Sequence, residues 1–345
     1  MTTAISPDCP SQRPGMTLLQ MTGGLIVHHC LYVAAMLGIA DLLKDRVATA
    51  ADLAGTLHVD EEALYRVLRL LSGQGVFEEI ACRTFANSRL SEWLRTDVVG
   101  SLRSLLIFRG DPNTSAALGE LLFSVTTGKP SFEKLCGLEV FGHLRRRQDQ
   151  ALLFDDAMTA LTALWAPQVA AAYQFAPWGS LMDVGGGSGL LLAEILKVHR
   201  GLRGVLAEQP SVLERARQRG FFSGELAGRV QFESCDFFQA IPAGCRAYLL
   251  KMVIHDWDDK RASQILINCR RTVPKDGVLL LVEYQLGEQN TPSLGKTVDI
   301  FMLAVTGGKE RTLEQHRDLL AIAGFRLRST IAVSDELIIF EAVPV

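Results

Sequence analysis

Leu181-Met182-Asp183-Val184-Gly185-Gly186-Gly187-Ser188-Gly189 decides the fold. A short apolar run ends in an acid, glycines turn the chain, and a helical stretch opens after them. Glycines at such a turn let the backbone bend sharply and let a ligand approach its N–H groups. On the carboxyl side, short apolar runs recur at 204–207, 230–232, 247–250 and 278–282. Each has the length of a buried strand, and the gaps are expected to hold a helix each. The region after Pro177 therefore reads as a parallel, doubly wound α/β sheet. The end of the chain breaks that grammar. Runs at 326–332 and 336–341 flank Ser334-Asp335, which makes a hairpin and predicts an antiparallel last strand.

On the amino side, residues 90–175 read as mostly helical, with breaks at Asp111-Pro112-Asn113 and Gly128-Lys129-Pro130. Residues 49–80 read as helix, turn, helix, hairpin. Thr49 caps the first helix with Asp52 three residues on. Asp60 caps the second, with Glu61 and Glu62 in its positive first turn. Gly73 and Gly75 end that helix, and 76–80 with Thr84-Phe85 forms a small wing. From Met16 to about Leu43 the chain is apolar nearly all round at helical spacing. That predicts burial on several sides, which a second subunit can supply. Three prolines mark residues 1–15 as a flexible tail. The expected organisation is that tail, a helical winged-helix-like domain over 16–110, and an α/β domain over 111–345 with a helical lead-in at 111–176.

A chain of 345 residues is long enough for two domains, and 48% hydrophobic residues can fill a sizeable core. With 35 basic and 38 acidic residues the net charge is −3. That excludes disorder driven by charge and argues against affinity built on many phosphate contacts. The winged-helix pattern raises DNA binding and a transcription regulator. Residues 1–100, however, carry 8 basic and 11 acidic side chains, and the reading helix offers only Arg66 and Arg69. A packing module without nucleic acid is the better reading. His28, His29 and Asp41 interrupt the most apolar window, so no membrane span is expected. Residues 1–14 lack the apolar centre of a secretory signal. Seven cysteines with no C-x-x-C pair read as reduced thiols of a cytoplasmic protein.

The glycine loop alone is a weak sign of a ligand; its surroundings sharpen it. The spacing is G-x-G-x-G through Gly185, Gly187 and Gly189, with Leu190 where a dinucleotide fingerprint wants a small residue. Asp183 before the loop would repel a pyrophosphate but suits a cation. Glu208 ends the next strand, 23 residues after Gly185, placed for ribose hydroxyls. The third strand ends in Cys235-Asp236-Phe237, an acid and an aromatic that can bond and flank an adenine. Adenosine, a positive charge and no phosphate together describe S-adenosylmethionine.

With these motifs the sequence resembles the class I S-adenosylmethionine-dependent O-methyltransferases. Within them it is similar to plant caffeate and isoflavone O-methyltransferases, acetylserotonin O-methyltransferase and bacterial antibiotic-pathway relatives. The resemblance spans nearly the whole chain. It rests on 183–189, on Lys251-Met252-Val253-Ile254-His255-Asp256-Trp257-Asp258-Asp259, and on Gly307-Gly308-Lys309-Glu310-Arg311-Thr312. It implies a Rossmann-like catalytic domain behind an α-helical, winged-helix-like dimerisation domain, hence a homodimer. By position it implies cofactor contacts from Asp183, Gly185, Gly187, Glu208, Asp236, Phe237, Lys251 and Thr162. It makes His255 the catalytic base, flanked by Glu283 and Glu310. It assigns Phe154 and Met158, on a helix with Thr162, to the acceptor, together with Asp256. Two positions depart from the family pattern: Glu208 replaces the Asp usual in plant members, and Asp155 stands where Asn is common.

The chemistry asks for an aligned, deprotonated acceptor oxygen. A phenol has a pKa near 10 and an imidazole near 6.5, so proton transfer to a free histidine is uphill. It succeeds when proton loss accompanies attack, a gain of about 10²–10⁴-fold. A lone histidine is ordinarily a packing residue; His255 stands out because it follows the fourth strand, in register with the glycine loop. His28 and His29 read as packing or pocket-lining. No cluster has metal-ligand spacing, so no metal is expected. The expected activity is methylation of a phenolic hydroxyl of a small secondary metabolite, with S-adenosylhomocysteine as coproduct. The other enzyme reading is a diverged relative that keeps the cofactor and methylates N or C, decarboxylates or hydroxylates.

Overall fold

The computed structural model describes residues 14–345. The tail expected over 1–15 lies outside them, apart from Pro14 and Gly15, which open the first helix. Two compact units divide between Asp111 and Pro112.

The first unit begins with α1 (Pro14–Leu37) and a short α2 (Ile39–Leu42). It continues through β1 (Ala48–Thr49), α3 (Ala50–Leu57), α4 (Glu61–Gly73), β2 (Phe77–Ala81) and β3 (Thr84–Asn87) to α5 (Arg103–Gly110). The strands form a small antiparallel sheet in the order β1-β3-β2. Thr49 and Asp52 complete a capping box at the start of α3. Asp60 accepts from the Ala63 N–H at 2.7 Å and caps α4. Leu53, Leu64, Leu68, Leu71, Phe77 and Phe85 form the core. At the wing, Arg83 reaches Glu61 and Glu62 at 2.9 Å each and lies over the Tyr65 ring. The burial expected around α1 is not supplied by the described residues. Only Ala34 and Ala35 of α1 are buried, while Leu18, Leu19, Met21, Leu25 and Ile26 are 60–66% exposed. By length and composition α1 is also the one described helix that could cross a membrane.

The second unit opens with α6 (Pro112–Gly119), α7 (Leu121–Thr127), α8 (Ser131–Cys136), α9 (Val140–Arg146) and the long α10 (Gln148–Ala172). Strands and helices then alternate, except that β6 passes to β7 through a loop and not through the helix expected in that gap: β4 (Ser180–Val184), α11 (Leu190–Val198), β5 (Arg203–Glu208), α12 (Pro210–Arg219), β6 (Val230–Ser234), β7 (Ala247–Lys251), α13 (Asp259–Thr272) and β8 (Val278–Tyr284). After α14 (Leu294–Val305) and α15 (Leu313–Ile322), β9 (Phe325–Ala332) and β10 (Leu337–Pro344) close the chain. The sheet order is β6-β5-β4-β7-β8-β10-β9. Strands β4 to β8 run parallel, and β10 is antiparallel to both neighbours. The last strand is thus inserted between β8 and β9, a placement the hairpin reading left open.

Successive residues of a strand face opposite sides, and the two core layers follow that alternation. Leu181, Leu206, Leu249 and Leu280 pack against α10, α11, α12 and α14. Met182, Tyr248, Leu250 and Leu281 pack against α13 and α15. Because β4 to β8 are parallel, Val184, Glu208, Ser234, Lys251 and Tyr284 end on one edge of the sheet. Ligands of open α/β sheets bind at that edge.

Candidate active site

Asp183, one residue before the end of β4, is buried at 1% exposure, and neither carboxylate oxygen has a hydrogen-bond partner. Burial pushes its pKa up to about 7, opposed by the Lys251 charge and reinforced by that of Glu208. A buried carboxylate left without a donor is a place for a ligand that brings one. Gly185 follows at φ 71°, with a Cβ position 3.0 Å from Val253 and 3.6 Å from Phe237. Only glycine leaves that corner open for a ligand. Glu208 accepts from the N–H groups of Gly187 at 3.3 Å and Gln209 at 2.7 Å. Burial raises its pKa to about 7 in spite of those donors. The Asp236 carboxylate caps its own turn, accepting from Phe238 N–H at 3.0 Å and Gln239 Nε2 at 2.7 Å. Asn268 of α13, with no motif to announce it, donates to the Phe237 and Phe238 carbonyls at 2.9 and 3.0 Å. These bonds hold the Phe237 ring at the glycine loop.

Four contacts along α10 tie it to this edge. Asp155 pairs with Arg215 and Asp156 with Arg219, both on α12. Thr159 donates to Asp155 O at 2.6 Å and meets Ser188 Oγ at 2.9 Å. Thr162 accepts from Lys251 Nζ at 3.1 Å and donates to Met158 O at 2.7 Å. Asp155, which stands where Asn is common, is engaged with Arg215 of α12. Thr159, one turn before Thr162 on α10, carries no motif that marks it. Phe154 packs edge-on against Phe141, which in turn lies 5.2 Å from the Trp257 ring. Trp257 also meets Phe237 and Phe238. An aromatic wall therefore runs from α10 to the end of β6. Phe141 was not legible as part of it.

His255 sits in a single helical turn just past β7 and is 7% exposed. Its Nδ1 lies 2.6 Å from Glu310 Oε1 and 4.0 Å from Glu283 Oε2. Its Nε2 faces Asp256 Oδ1 across 3.8 Å, beyond hydrogen-bond reach. Burial acts to lower the His255 pKa, but Glu310, Asp256 and Glu283 together outweigh it and raise it to about 10. Burial raises Glu283 to about 8 and Asp256 to about 6. Lys251 is lowered to about 8 by burial, against the pull of Asp183, Glu283 and Asp256. Glu283 also accepts from the Ile254 N–H at 3.3 Å, and the Glu310 N–H donates to Asp299 at 2.8 Å. One oxygen each of Glu283 and Glu310 remains buried without a partner. Donor atoms of His255, Glu283 and Glu310 lie within 4.8 Å of one another, a spacing that could hold a cation. The short Nδ1–Glu310 contact occupies two of those donors with each other.

The chain matches the O-methyltransferase domain over 119–326 and the O-methyltransferase dimerisation domain over 19–97. It is 38% identical to the phenazine O-methyltransferase of Lysobacter antibioticus, over 95% of this chain and 96% of that one. It is 33% identical to an 8-amino-8-demethylriboflavin N,N-dimethyltransferase of Streptomyces davaonensis, over 92% and 91%. An O-methyltransferase from neocarzinostatin biosynthesis was crystallised with S-adenosylhomocysteine and 1,4-dihydroxy-2-naphthoic acid. It aligns with a TM-score of 0.81 at 31% identity, covering 97% of this chain and 100% of that one. The fold and these matches define a two-unit methyltransferase that uses S-adenosylmethionine. The chain belongs to the O-methyltransferase family.

Proposed function

We propose that this enzyme methylates a phenolic hydroxyl of a small aromatic secondary metabolite, with His255 as general base. The observation that carries the reading is the His255–Glu310 contact at 2.6 Å with Nε2 left without a hydrogen bond. Glu310 accepts from Nδ1–H, which leaves the lone pair of the neutral ring on Nε2. Nε2 takes the hydroxyl proton of the acceptor, and Glu310 steadies the imidazolium that results. S-adenosylmethionine, when bound, supplies a methyl group already activated on a sulfonium. Asp183, Gly185, Gly187, Glu208, Asp236, Phe237, Lys251 and Thr162 are the residues that would hold it. The orphaned Asp183 carboxylate and the open corner at Gly185 support that fit. Phe154, Met158 and Asp256 take the acceptor side, and the aromatic wall supports a flat ring there. No resident metal takes part, so dialysis against a chelator leaves the rate unchanged. The free-value gap between phenol and imidazole also narrows: at about 10, His255 is matched to a phenol.

Glu208 gives a direct test of the cofactor site. Removing a charged hydrogen-bond acceptor for ribose costs about 1.5–3 kcal/mol. Glu208→Ala is therefore expected to weaken S-adenosylmethionine and S-adenosylhomocysteine alike by roughly 10–100-fold, read by calorimetry. Equal binding by the variant would remove Glu208 from the site.

The first unit pairs with a second copy of itself in this reading, with no nucleic acid or membrane involved. The exposed stripe of α1 supports it, and Arg83 is already spent on Glu61 and Glu62. A contiguous apolar patch of that kind marks an interface. Light scattering at micromolar concentration should give twice the single-chain mass of 37.8 kDa. A mass of one chain would refute the pairing. The six described cysteines are free thiols, which supports a reducing, cytoplasmic setting.

A nitrogen acceptor is the second reading, favoured by the similarity to the riboflavin-type N,N-dimethyltransferase. An amine needs proton removal less than a phenol does, so the two readings separate on the requirement for His255.

A further inference from the structure

The Arg311 guanidinium is buried at 2% exposure and surrounded by the backbone of the loop that carries His255. Its Nη1 donates to Ile254 O at 3.0 Å and its Nη2 to Trp257 O at 2.8 Å. Its Nε donates to Asp259 Oδ1 at 3.0 Å, at the start of α13. Two residues earlier, Lys309 N–H donates to His255 O at 2.9 Å. Three of the four carbonyls between 254 and 257 are thus taken by 309–311, and the Glu310 side chain between those donors reaches His255 Nδ1.

We infer that Arg311 is a positioning residue for the base: its fork fixes the loop that carries His255 against the segment that carries Glu310. A planar fork can bracket two carbonyls one turn apart; a lysine ammonium is a point charge and cannot. A buried cation is costly unless each donor is used, and here the donors are spent on the base's loop and on Asp259. Without the fork the loop keeps its sequence but loses the tie that sets the Nδ1–Glu310 distance and the direction of Nε2. A misplacement of about 1 Å costs roughly 10²-fold in rate. This inference rests on the reading of His255 as base.

The test is a double-mutant cycle between Arg311→Lys and His255→Ala, measured on phenols of graded acidity. Folding is checked by thermal melting and by S-adenosylhomocysteine binding. Arg311→Lys is expected to lower kcat at least about tenfold on a weakly acidic phenol, within the loss that His255→Ala itself produces. Its KM for S-adenosylmethionine should stay near wild type. In the His255→Ala background the same substitution should cost little, because no base remains to be placed. Asp259→Asn is the second variant; Asp259 is 60% exposed and the amide oxygen of the variant can still accept from Arg311 Nε, and its folding is checked in the same way. It should show a smaller loss, absent in the His255→Ala background. Losses that add in both cycles, or no loss on a weakly acidic phenol, would overturn the role of Arg311. If His255→Ala itself keeps full kcat, the base reading fails first, and the two failures are told apart.

Discussion

His255→Ala should lose roughly 10²-fold or more in kcat on a weakly acidic phenol while binding S-adenosylmethionine about as tightly as wild type. The split follows from geometry. The imidazole lies in the turn after β7 with Nδ1 on Glu310, whereas the glycine loop, Glu208 and Phe237 stand on other strand ends. The loss should shrink as the acceptor's own pKa falls, because an ionised phenolate needs no base. Raising the pH should rescue the variant for the same reason.

The wild-type profile carries a sign of its own. Carboxylates around His255 hold its pKa at about 10 despite burial, so the neutral ring gains population as the pH rises across neutrality. The wild-type rate on a weakly acidic phenol should therefore climb with pH. Glu310→Gln removes the leading charge that raises this pKa, so the rise should move to lower pH. A less basic imidazole should also lower the plateau rate, by less than His255→Ala does. The measurement is a set of pH–rate profiles for the three enzymes across phenols of graded acidity. A His255→Ala enzyme with unchanged kcat would make this histidine structural and favour the nitrogen-acceptor reading.

The sheet was legible because the runs of β7 and β8 are buried on both faces and β4, β5 and β7 are each followed by a helix, whereas β6 carries Gln231, Glu233 and Ser234 and passes to β7 with no helix between. The caps at Thr49 and Asp60 were equally legible, since capping is local chemistry. What escaped was set by long-range packing. The order β8-β10-β9 depends on where the final hairpin docks. The described residues leave most of α1 uncovered, so hydrophobicity announced the need for burial but not its source. At the site, the family resemblance pointed to His255, Glu283 and Glu310, but only the fold ranks the carboxylates at 2.6 and 4.0 Å. Asp155 and Arg215 lie 60 residues apart, so no local pattern joins them. Arg311 stood inside a recognised motif with its role unread, because its partners are backbone carbonyls, which have no sequence signature.

Gly308→Ala should collapse turnover while leaving the cofactor bound. A methyl group at Gly308 would overlap the His255 carbonyl oxygen, the Asp256 carbonyl carbon and the Trp257 nitrogen, all backbone atoms that cannot swing aside as a side chain does. Two movements relieve the overlap, and both damage the base. If the 307–311 segment retreats, Lys309 loses its bond to His255 O and Glu310 leaves Nδ1. If the 254–257 loop retreats, Arg311 loses the carbonyls of Ile254 and Trp257, and a buried cation is left short of acceptors. Overpacking costs about 1–3 kcal/mol. Hydrogen bonds to a buried charge add about 1.5–3 kcal/mol. The melting temperature should fall by several degrees, at roughly 2–4 °C per kcal/mol for a domain of this size. The drop in kcat should approach that of His255→Ala, roughly 10²-fold. Affinity for S-adenosylhomocysteine should hold, since the glycine loop is not displaced. Gly201→Ala is the control: a methyl group there meets no atom within 4 Å and should change neither melting nor rate. A folded Gly308→Ala enzyme with wild-type kcat would show that the segment yields without moving His255, and that the close backbone approach does not set the base.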